Sequence, residues 1–80
     1  MAHRGGRLTL GEKINQYRTT RKYTKKFLSE MLGVTKDSIL SWERNRFTPS
    51  GVNMIKIIDL LDLSKEECKY YFGTDIYGKA

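Results

Sequence analysis

Residues 24–50 read TKKFLSEMLGVTKDSILSWERNRFTPS, and this stretch decides the fold. It contains two short helical patterns on either side of a Leu-Gly-Val triplet. Thr24 is placed to cap the first helix, and Gly33 to end it, because a helix C-terminus favours a left-handed residue that costs glycine little. Thr35 can then cap a second helix. Two helices joined by about three residues that include a glycine are typical of a helix-turn-helix.

The same rules for caps and spacing predict three further helices around this pair. Thr9 and Ser64 each precede a glutamate by three residues, which is the spacing of a capping box. Ser50 can cap a helix between them. The predicted helices cover 9–21, 25–32 and 35–45, a fourth that follows Ser50, and a fifth that ends near Phe72. Because no strand pattern alternates over a useful length, we predict an all-α fold, a compact five-helix bundle whose helices 2 and 3 form the helix-turn-helix.

Apolar residues recur at spacings of three and four in each helix, and these define the predicted core. The predicted core residues are Leu10, Ile14, Tyr17, Leu28, Met31, Leu32, Ile39, Trp42, Met54, Ile57, Ile58 and Leu61. The single cysteine, Cys68, should be a small buried hydrophobe, since free cysteines are commonly buried.

The charge of the chain is unevenly distributed. The net charge is +6, and residues 1–48 hold eleven Lys/Arg against four Asp/Glu, while residues 49–80 hold four against five. A basic region attracts polyanions, because neutralising phosphates releases condensed counterions. A solvated charged surface is the plainer explanation, and charge alone favours nucleic acid only modestly.

Several classes of protein are excluded by composition and motifs. One cysteine permits no intrachain disulfide, and its spacing from His3 resembles no metal site, so neither metal nor cofactor is expected. No apolar stretch is long enough to cross a bilayer, and no catalytic constellation occurs, so we expect a cytoplasmic protein that is not an enzyme. We predict one domain at 9–72, a flexible basic arm at 1–8 and a tail at 73–80.

The helix predicted over 35–45 has an outward face of mixed chemistry. With Ile39 and Trp42 pointing inward, the outward and flanking positions hold Lys36, Asp37, Leu40, Ser41 and Arg44. Donors, an acceptor and an apolar group can together read base edges in a major groove, which a purely basic helix cannot do. A leucine at such a position could touch a thymine methyl or, more often, pack against a neighbouring element or subunit.

Residues 9–64 resemble the lambdoid phage repressor and Cro-like helix-turn-helix family, also called the Xre family. The resemblance lies in the Leu-Gly-Val turn, the Ile39 and Trp42 pair, Glu43 and Pro49. It implies a DNA-binding domain, with recognition-helix residues facing bases and flanking residues contacting phosphates. Together with the exposed-face argument, the predicted base contacts are Lys25, Lys36, Asp37, Leu40 and Ser41. With the helix starts as anion sites, the predicted phosphate contacts are Arg18, Thr24, Lys26, Thr35, Arg44 and Arg46.

The resemblance also predicts an ion pair and draws attention to departures from the family pattern. Arg18 and Glu43 occupy positions that form an ion pair in some members. Asn45 stands where glycine is usual, but asparagine tolerates a left-handed conformation, so the turn should survive. Asp37 is acidic where amides are common, which either lowers the expected affinity or shifts the expected preference toward cytosine. Gly51 replaces a frequent apolar residue and should loosen the start of the fourth helix.

The leading prediction is a sequence-specific regulator of transcription, a dimeric repressor that reads a pseudo-palindromic operator in double-stranded DNA. Two alternatives stay open: an antitoxin-like protein-interaction module with secondary DNA binding, and the controller protein of a restriction-modification system. The aromatic C-terminus could close the core, pair subunits or bind a protein partner through Tyr70, Tyr71, Phe72 and Tyr77. Arg4 and Arg7 could enter a minor groove or belong to a plain leader. A bacterial or phage-encoded, nucleoid-associated protein fits these expectations.

Overall fold

A computed structural model describes residues 7–73 of the 80-residue chain. Over these residues it contains five α-helices and no strand, which confirms the all-α prediction. The helices are α1 (Leu10–Thr20), α2 (Lys25–Leu32), α3 (Lys36–Glu43), α4 (Val52–Leu61) and α5 (Lys65–Phe72). Arg4, Tyr77 and most of the predicted arm and tail lie outside the described residues. None of the described helices is long and apolar enough to cross a membrane.

The chain divides into two compact units, with the boundary between Phe47 and Thr48. The first contains α1, α2 and α3, and α3 packs against both other helices. The second contains α4 and α5. The division at 1–8, 9–72 and 73–80 stays a prediction.

The predicted helix starts are formed by local hydrogen bonds. The Thr9 hydroxyl accepts from the Glu12 amide at 3.1 Å, and the Glu12 carboxylate accepts from the Thr9 amide at 2.8 Å. Ser64 forms the same capping box with Glu67. Thr24 and Thr35 cap α2 and α3 by accepting from the amides of Phe27 and Ser38. Each cap satisfies a helix amide that has no partner within its own helix.

The turn between α2 and α3 confirms the helix-turn-helix. Gly33 ends α2 in the left-handed region, with φ 70° and ψ 36°, and the next amide, of Val34, donates to the Ser29 carbonyl at 2.9 Å. This hydrogen bond satisfies a carbonyl group near the C-terminal end of α2. Thr35 caps α3 at the following residue, so only three residues join the two helices.

Three details of the predicted helices are wrong. Ser50 does not cap α4; Gly51 occupies the cap position with φ 59° and makes no side-chain cap hydrogen bond. The positive φ, which glycine adopts readily, delays the helix start to Val52. The third helix ends at Glu43, not at residue 45, because Asn45 turns left-handed with φ 57°. The first helix is one residue shorter than predicted at each end.

The core agrees with the predicted apolar faces except at Met31. In the first unit Leu10, Ile14, Leu28, Ile39 and Trp42 are buried, and in the second unit Ile57, Ile58, Leu63 and Cys68 are buried. Tyr17, Leu32, Met54 and Leu61 are half-buried. Met31 is 44% exposed, because the inward face of α2 is centred on Leu28 and Ser29 and Met31 lies to one side of it.

Candidate nucleic-acid interface

The predicted base-reading residues lie on one face of α3 and at the start of α2. Lys36 and Asp37 are exposed in the first turn of α3, and Leu40 and Ser41 are half-buried one turn later. Residues four apart lie above one another on a helix, so these four share a face that differs from the buried face of α3. Lys25 is half-buried at the first position of α2.

The predicted phosphate-contacting residues lie at helix ends. The Thr24 hydroxyl accepts from the Phe27 amide at 2.9 Å, and the Thr35 hydroxyl accepts from the Ser38 amide at 3.1 Å. Helix N-termini carry a partial positive charge and free amides, which suit a phosphate. The Lys26 ammonium contacts the Glu30 carboxylate at 2.8 Å across the exposed face of α2.

Arg44 and Arg46 are both exposed and follow the end of α3. They stand on either side of Asn45. Both side chains therefore extend from the turn that directly follows α3, the helix that carries the predicted base-reading face. Individual contacts with DNA remain predictions for all of these residues.

Arg18 and Glu43 form the predicted ion pair, and they do so away from solvent. Arg18 Nε donates to Glu43 Oε2 at 2.7 Å and Nη2 donates to Oε1 at 3.1 Å, while Nη1 donates to the Tyr23 carbonyl at 2.9 Å. The two side chains are only 11% and 6% exposed. With three of five guanidinium N–H donors committed, a phosphate contact by Arg18 would depend on the remaining two.

Asn15 completes the surroundings of Glu43, and sequence reasoning did not identify it. Its Nδ2 donates to Glu43 Oε1 at 3.0 Å. Asn15 lies three residues before Arg18, so the two share a face of α1. The three-residue spacing between Asn15 and Arg18 was the clue in the sequence that Asn15 lies near this ion pair. The carboxylate of Glu43 is thus held by two side chains of α1, which ties the end of α3 to the first helix.

The pKa of Glu43 reflects competition between burial and its partners. Burial by itself raises this pKa, but hydrogen bonds from Arg18 and Asn15 and the charges of Arg18 and Lys25 lower it below its ordinary value. The same pair raises the pKa of Arg18, mainly through its hydrogen bond to Glu43.

We expect acid to remove part of the stability that Glu43 provides. A carboxylate whose pKa is lower in the folded than in the unfolded protein contributes its full stabilisation when the pH is above the unfolded-state pKa. This contribution is lost as the pH falls through the folded-state pKa. The stability difference between the wild type and Glu43→Gln should therefore shrink as the pH falls below about 4.3, the ordinary pKa of a glutamate side chain. Urea unfolding at a series of pH values measures it, with exposed Glu66→Gln as the matched control. A stability difference that stays constant with pH would contradict the stabilising role of the ionised Glu43 carboxylate.

Asn45 connects the end of α3 to the start of α1. It adopts φ 57°, so the predicted tolerance of this turn for asparagine is confirmed. Its Oδ1 accepts from the Gly11 amide at 3.0 Å, and its Nδ2 donates to the Thr9 hydroxyl oxygen at 3.1 Å. Sequence reasoning considered only the backbone of Asn45 and missed both side-chain contacts.

Gly11 is the second residue that sequence reasoning missed. A Cβ added there would lie 2.5 Å from the Trp42 carbonyl oxygen, 2.6 Å from the Glu43 carbonyl oxygen and 2.7 Å from Asn45 Oδ1. The first helix therefore approaches the end of α3 more closely than a side chain permits. A glycine inside a helical pattern was the clue, since glycine is unfavourable there without a packing reason.

A sequence model of the helix-turn-helix domain family matches residues 11–72, the region that contains these contacts except those of Thr9. The chain belongs to this family. The helix-turn-helix chain is also 33% identical over 57 residues to the HTH-type transcriptional regulator DicA of Escherichia coli (strain K12). That similarity covers 71% of this chain and 42% of DicA, so the chain spans less than half of the length of this relative. No solved structure matches the chain.

These comparisons confirm the resemblance to the phage repressor and Cro-like family. Helix-turn-helix domains bind DNA by placing the second helix of the motif in the major groove. Family membership therefore supports a DNA-binding regulator, and the family is generally not enzymatic.

Proposed function

We propose that this chain is a sequence-specific regulator of transcription that binds double-stranded DNA with α3 in the major groove. The observation that carries the proposal is the exposed face of α3. Lys36 and Asp37 are exposed there, whereas Ile39 and Trp42 of the same helix are buried. A short helix directly after a three-residue turn presents its first residues to base edges.

The residues on this face supply different chemical groups for base reading. The Lys36 ammonium can donate to guanine O6 and N7, and the Asp37 carboxylate can accept from cytosine N4. Leu40 can contact a thymine methyl group. Because each group prefers a different base edge, such a face discriminates between sequences. Lys25 contributes from the start of α2.

The flanking residues position the domain on the backbone. The N-terminal ends of α2 and α3, capped by Thr24 and Thr35, would meet phosphates with their free amides. Lys26, Arg44 and Arg46 would add charge neutralisation, which contributes affinity without sequence information.

A homodimer would extend the number of base pairs read. One recognition helix reads a few base pairs, whereas a two-fold dimer reads half-sites about 34 Å apart. Val52, Ile55 and Tyr70 are large apolar residues that are 58%, 50% and 59% exposed in the second unit. Their exposure supports a subunit interface, and a dimer bound at a pseudo-palindromic operator would repress by occupying it.

Selection from a randomised duplex pool at near-physiological salt tests the proposal. An enriched inverted repeat with half-sites about one helical turn apart is the expected result. Enrichment of a single half-site would support sequence-specific binding and contradict the proposed dimer. Retention of DNA without any enriched sequence would refute the role proposed for α3.

Lys36→Ala and Arg44→Ala should weaken DNA binding in different ways. Lys36→Ala should cost about 1–3 kcal/mol of binding free energy on the selected sequence and relax preference at one base pair. Arg44→Ala should weaken all sequences alike and reduce the salt slope by about one. Titrations of selected and scrambled duplexes at several salt concentrations measure both effects.

Lys65→Ala is the matched control for these two substitutions, since exposed Lys65 lies outside the predicted contact set. It should leave both base preference and salt slope unchanged. If Lys36→Ala weakens selected and scrambled duplexes equally, Lys36 contacts phosphate and does not read a base.

A protein-interaction module is the second candidate, and the exposed end of α5 favours it. Tyr70 is 59% exposed and meets the Tyr71 ring edge-on, with centroids 5.0 Å apart. If this end of α5 binds a protein partner and is not the subunit interface, Tyr70→Ser should abolish capture of that partner while duplex affinity stays intact. Phe72 is half-buried, and Tyr77 lies outside the described residues.

A further inference from the structure

We infer that Asn45 is a positioning residue for DNA binding: its carboxamide locks the turn after α3 against the start of α1 and so sets the placement of Arg44 and Arg46. The inference rests on the proposed function, because it concerns how those two guanidinium groups reach phosphates. It adds a residue that contacts no DNA itself and acts through its two neighbours in the chain.

The two hydrogen bonds of Asn45 hold both ends of its carboxamide. Oδ1 accepts from the Gly11 amide, 34 residues away in sequence, and Nδ2 donates to the Thr9 hydroxyl oxygen, 36 residues away. Thr9 is itself fixed, because it caps α1 in a capping box with Glu12. The side chain of Asn45 is therefore anchored on the capped start of α1.

The backbone transmits this anchorage to both arginines. The Asn45 amide donates to the Trp42 carbonyl at 3.0 Å, and the Arg46 amide donates to the Ser41 carbonyl at 2.9 Å. Arg44 precedes the left-handed residue and Arg46 follows it. A rotation about the backbone of Asn45 would re-aim Arg46 relative to α3, and release of the carboxamide from α1 would let the turn that carries Arg44 shift relative to α1.

Asparagine meets three requirements of this position together. It tolerates the left-handed conformation, and its side chain carries an acceptor and a donor. Glycine can adopt the left-handed conformation but would not hold the turn in it, because glycine has many other accessible conformations and would lose both long-range bonds. The close approach of Gly11 leaves less space than a Cβ needs, so the carboxamide bridges the two segments directly.

The simpler alternative is that Asn45 only caps α1 and stabilises the fold. The two possibilities differ in what happens to DNA binding by fully folded protein. A cap alone alters the melting temperature, whereas a positioning residue also alters affinity and the number of phosphates neutralised. Ser64→Ala, which removes the cap of α5, is the matched control for a purely structural loss.

The test measures binding to mixed-sequence duplex DNA, because phosphate contacts do not depend on sequence. Wild type, Asn45→Gly, the double variant Arg44→Ala/Arg46→Ala, and the triple combination are titrated at several salt concentrations, at a temperature where circular dichroism shows each folded. We expect Asn45→Gly to weaken binding about three- to tenfold and to flatten the salt slope. Removing the two arginines should cost less in the Asn45→Gly background than in the wild type.

Distinct outcomes separate this inference from the proposed function. A lower melting temperature with unchanged affinity and slope, as expected for Ser64→Ala, would overturn the inference and leave DNA binding intact. Additive losses from Asn45→Gly and the arginine pair would also overturn it. If the wild type retains no duplex DNA, the proposed function fails as well.

Discussion

Gly11→Ala is expected to destabilise the fold by about 3 kcal/mol, the upper range for overpacking a closed site. The new Cβ would meet two backbone carbonyl oxygens at 2.5 and 2.6 Å, closer than carbon and oxygen can approach. Relief requires α1 to move away from the end of α3, which would also stretch the bond from the Gly11 amide to Asn45. The melting temperature should fall by more than about 10 °C.

The sign of this effect is the sharpest part of the prediction. Alanine normally stabilises a helix relative to glycine by up to about 1 kcal/mol, so propensity alone predicts a gain at Gly11. Gly73→Ala is the matched control, because no described atom lies within 4 Å of the added Cβ and only the positive φ of 69° opposes it. Urea unfolding of both variants decides the point. If Gly11→Ala were as stable as the wild type or more stable, α1 and the end of α3 would not be in close contact at this position.

Removing either partner of the Arg18 and Glu43 pair is expected to cost about 3 kcal/mol of folding free energy. Glu43→Ala leaves a guanidinium that is 11% exposed without its anion, and Arg18→Ala leaves a carboxylate that is 6% exposed. The penalty comes mainly from the unpaired charge that remains. The double variant should therefore lose less than the sum of the single losses, with a coupling of about 1–3 kcal/mol.

A double-mutant cycle by urea unfolding measures this coupling. Lys26 and Glu30 provide the matched control, because their side chains are 73% and 64% exposed although their charged atoms also lie 2.8 Å apart. Water screens such a surface pair, so its cycle should show no coupling beyond experimental error. Zero coupling for Arg18 and Glu43 would mean that the pair makes no net contribution, whatever its geometry.

The helix boundaries were predictable wherever the deciding contacts are local. The capping boxes at Thr9 and Ser64 join residues three apart, and the end of α2 depends on the conformational freedom of Gly33 alone. Such contacts form within one helix and its flanking residues and do not depend on packing against another helix. The prediction failed at Ser50, because a neighbouring glycine with positive φ took over the start of α4.

Burial was harder to predict than helix position in the shortest helices. Eight residues of α2 contain too few turns to define one apolar face, and Met31 lies at the margin of that face. The predicted base-reading face of α3 was easier to identify, since Ile39 and Trp42 are buried and leave the first residues of the opposite side, Lys36 and Asp37, exposed. The ion pair of Arg18 with Glu43 came from family resemblance and not from spacing.

The sequence by itself determined the five helices of the described residues, the three-residue turn and the exposed face of α3, because these follow from caps, glycine conformations and helical periodicity. Only the tertiary structure decided that Asn15 holds Glu43, that Gly11 admits no side chain, and that Asn45 bridges to α1. These contacts join residues 28 or more positions apart. Their formation depends on how α1 and α3 approach each other, and no local pattern encodes that distance.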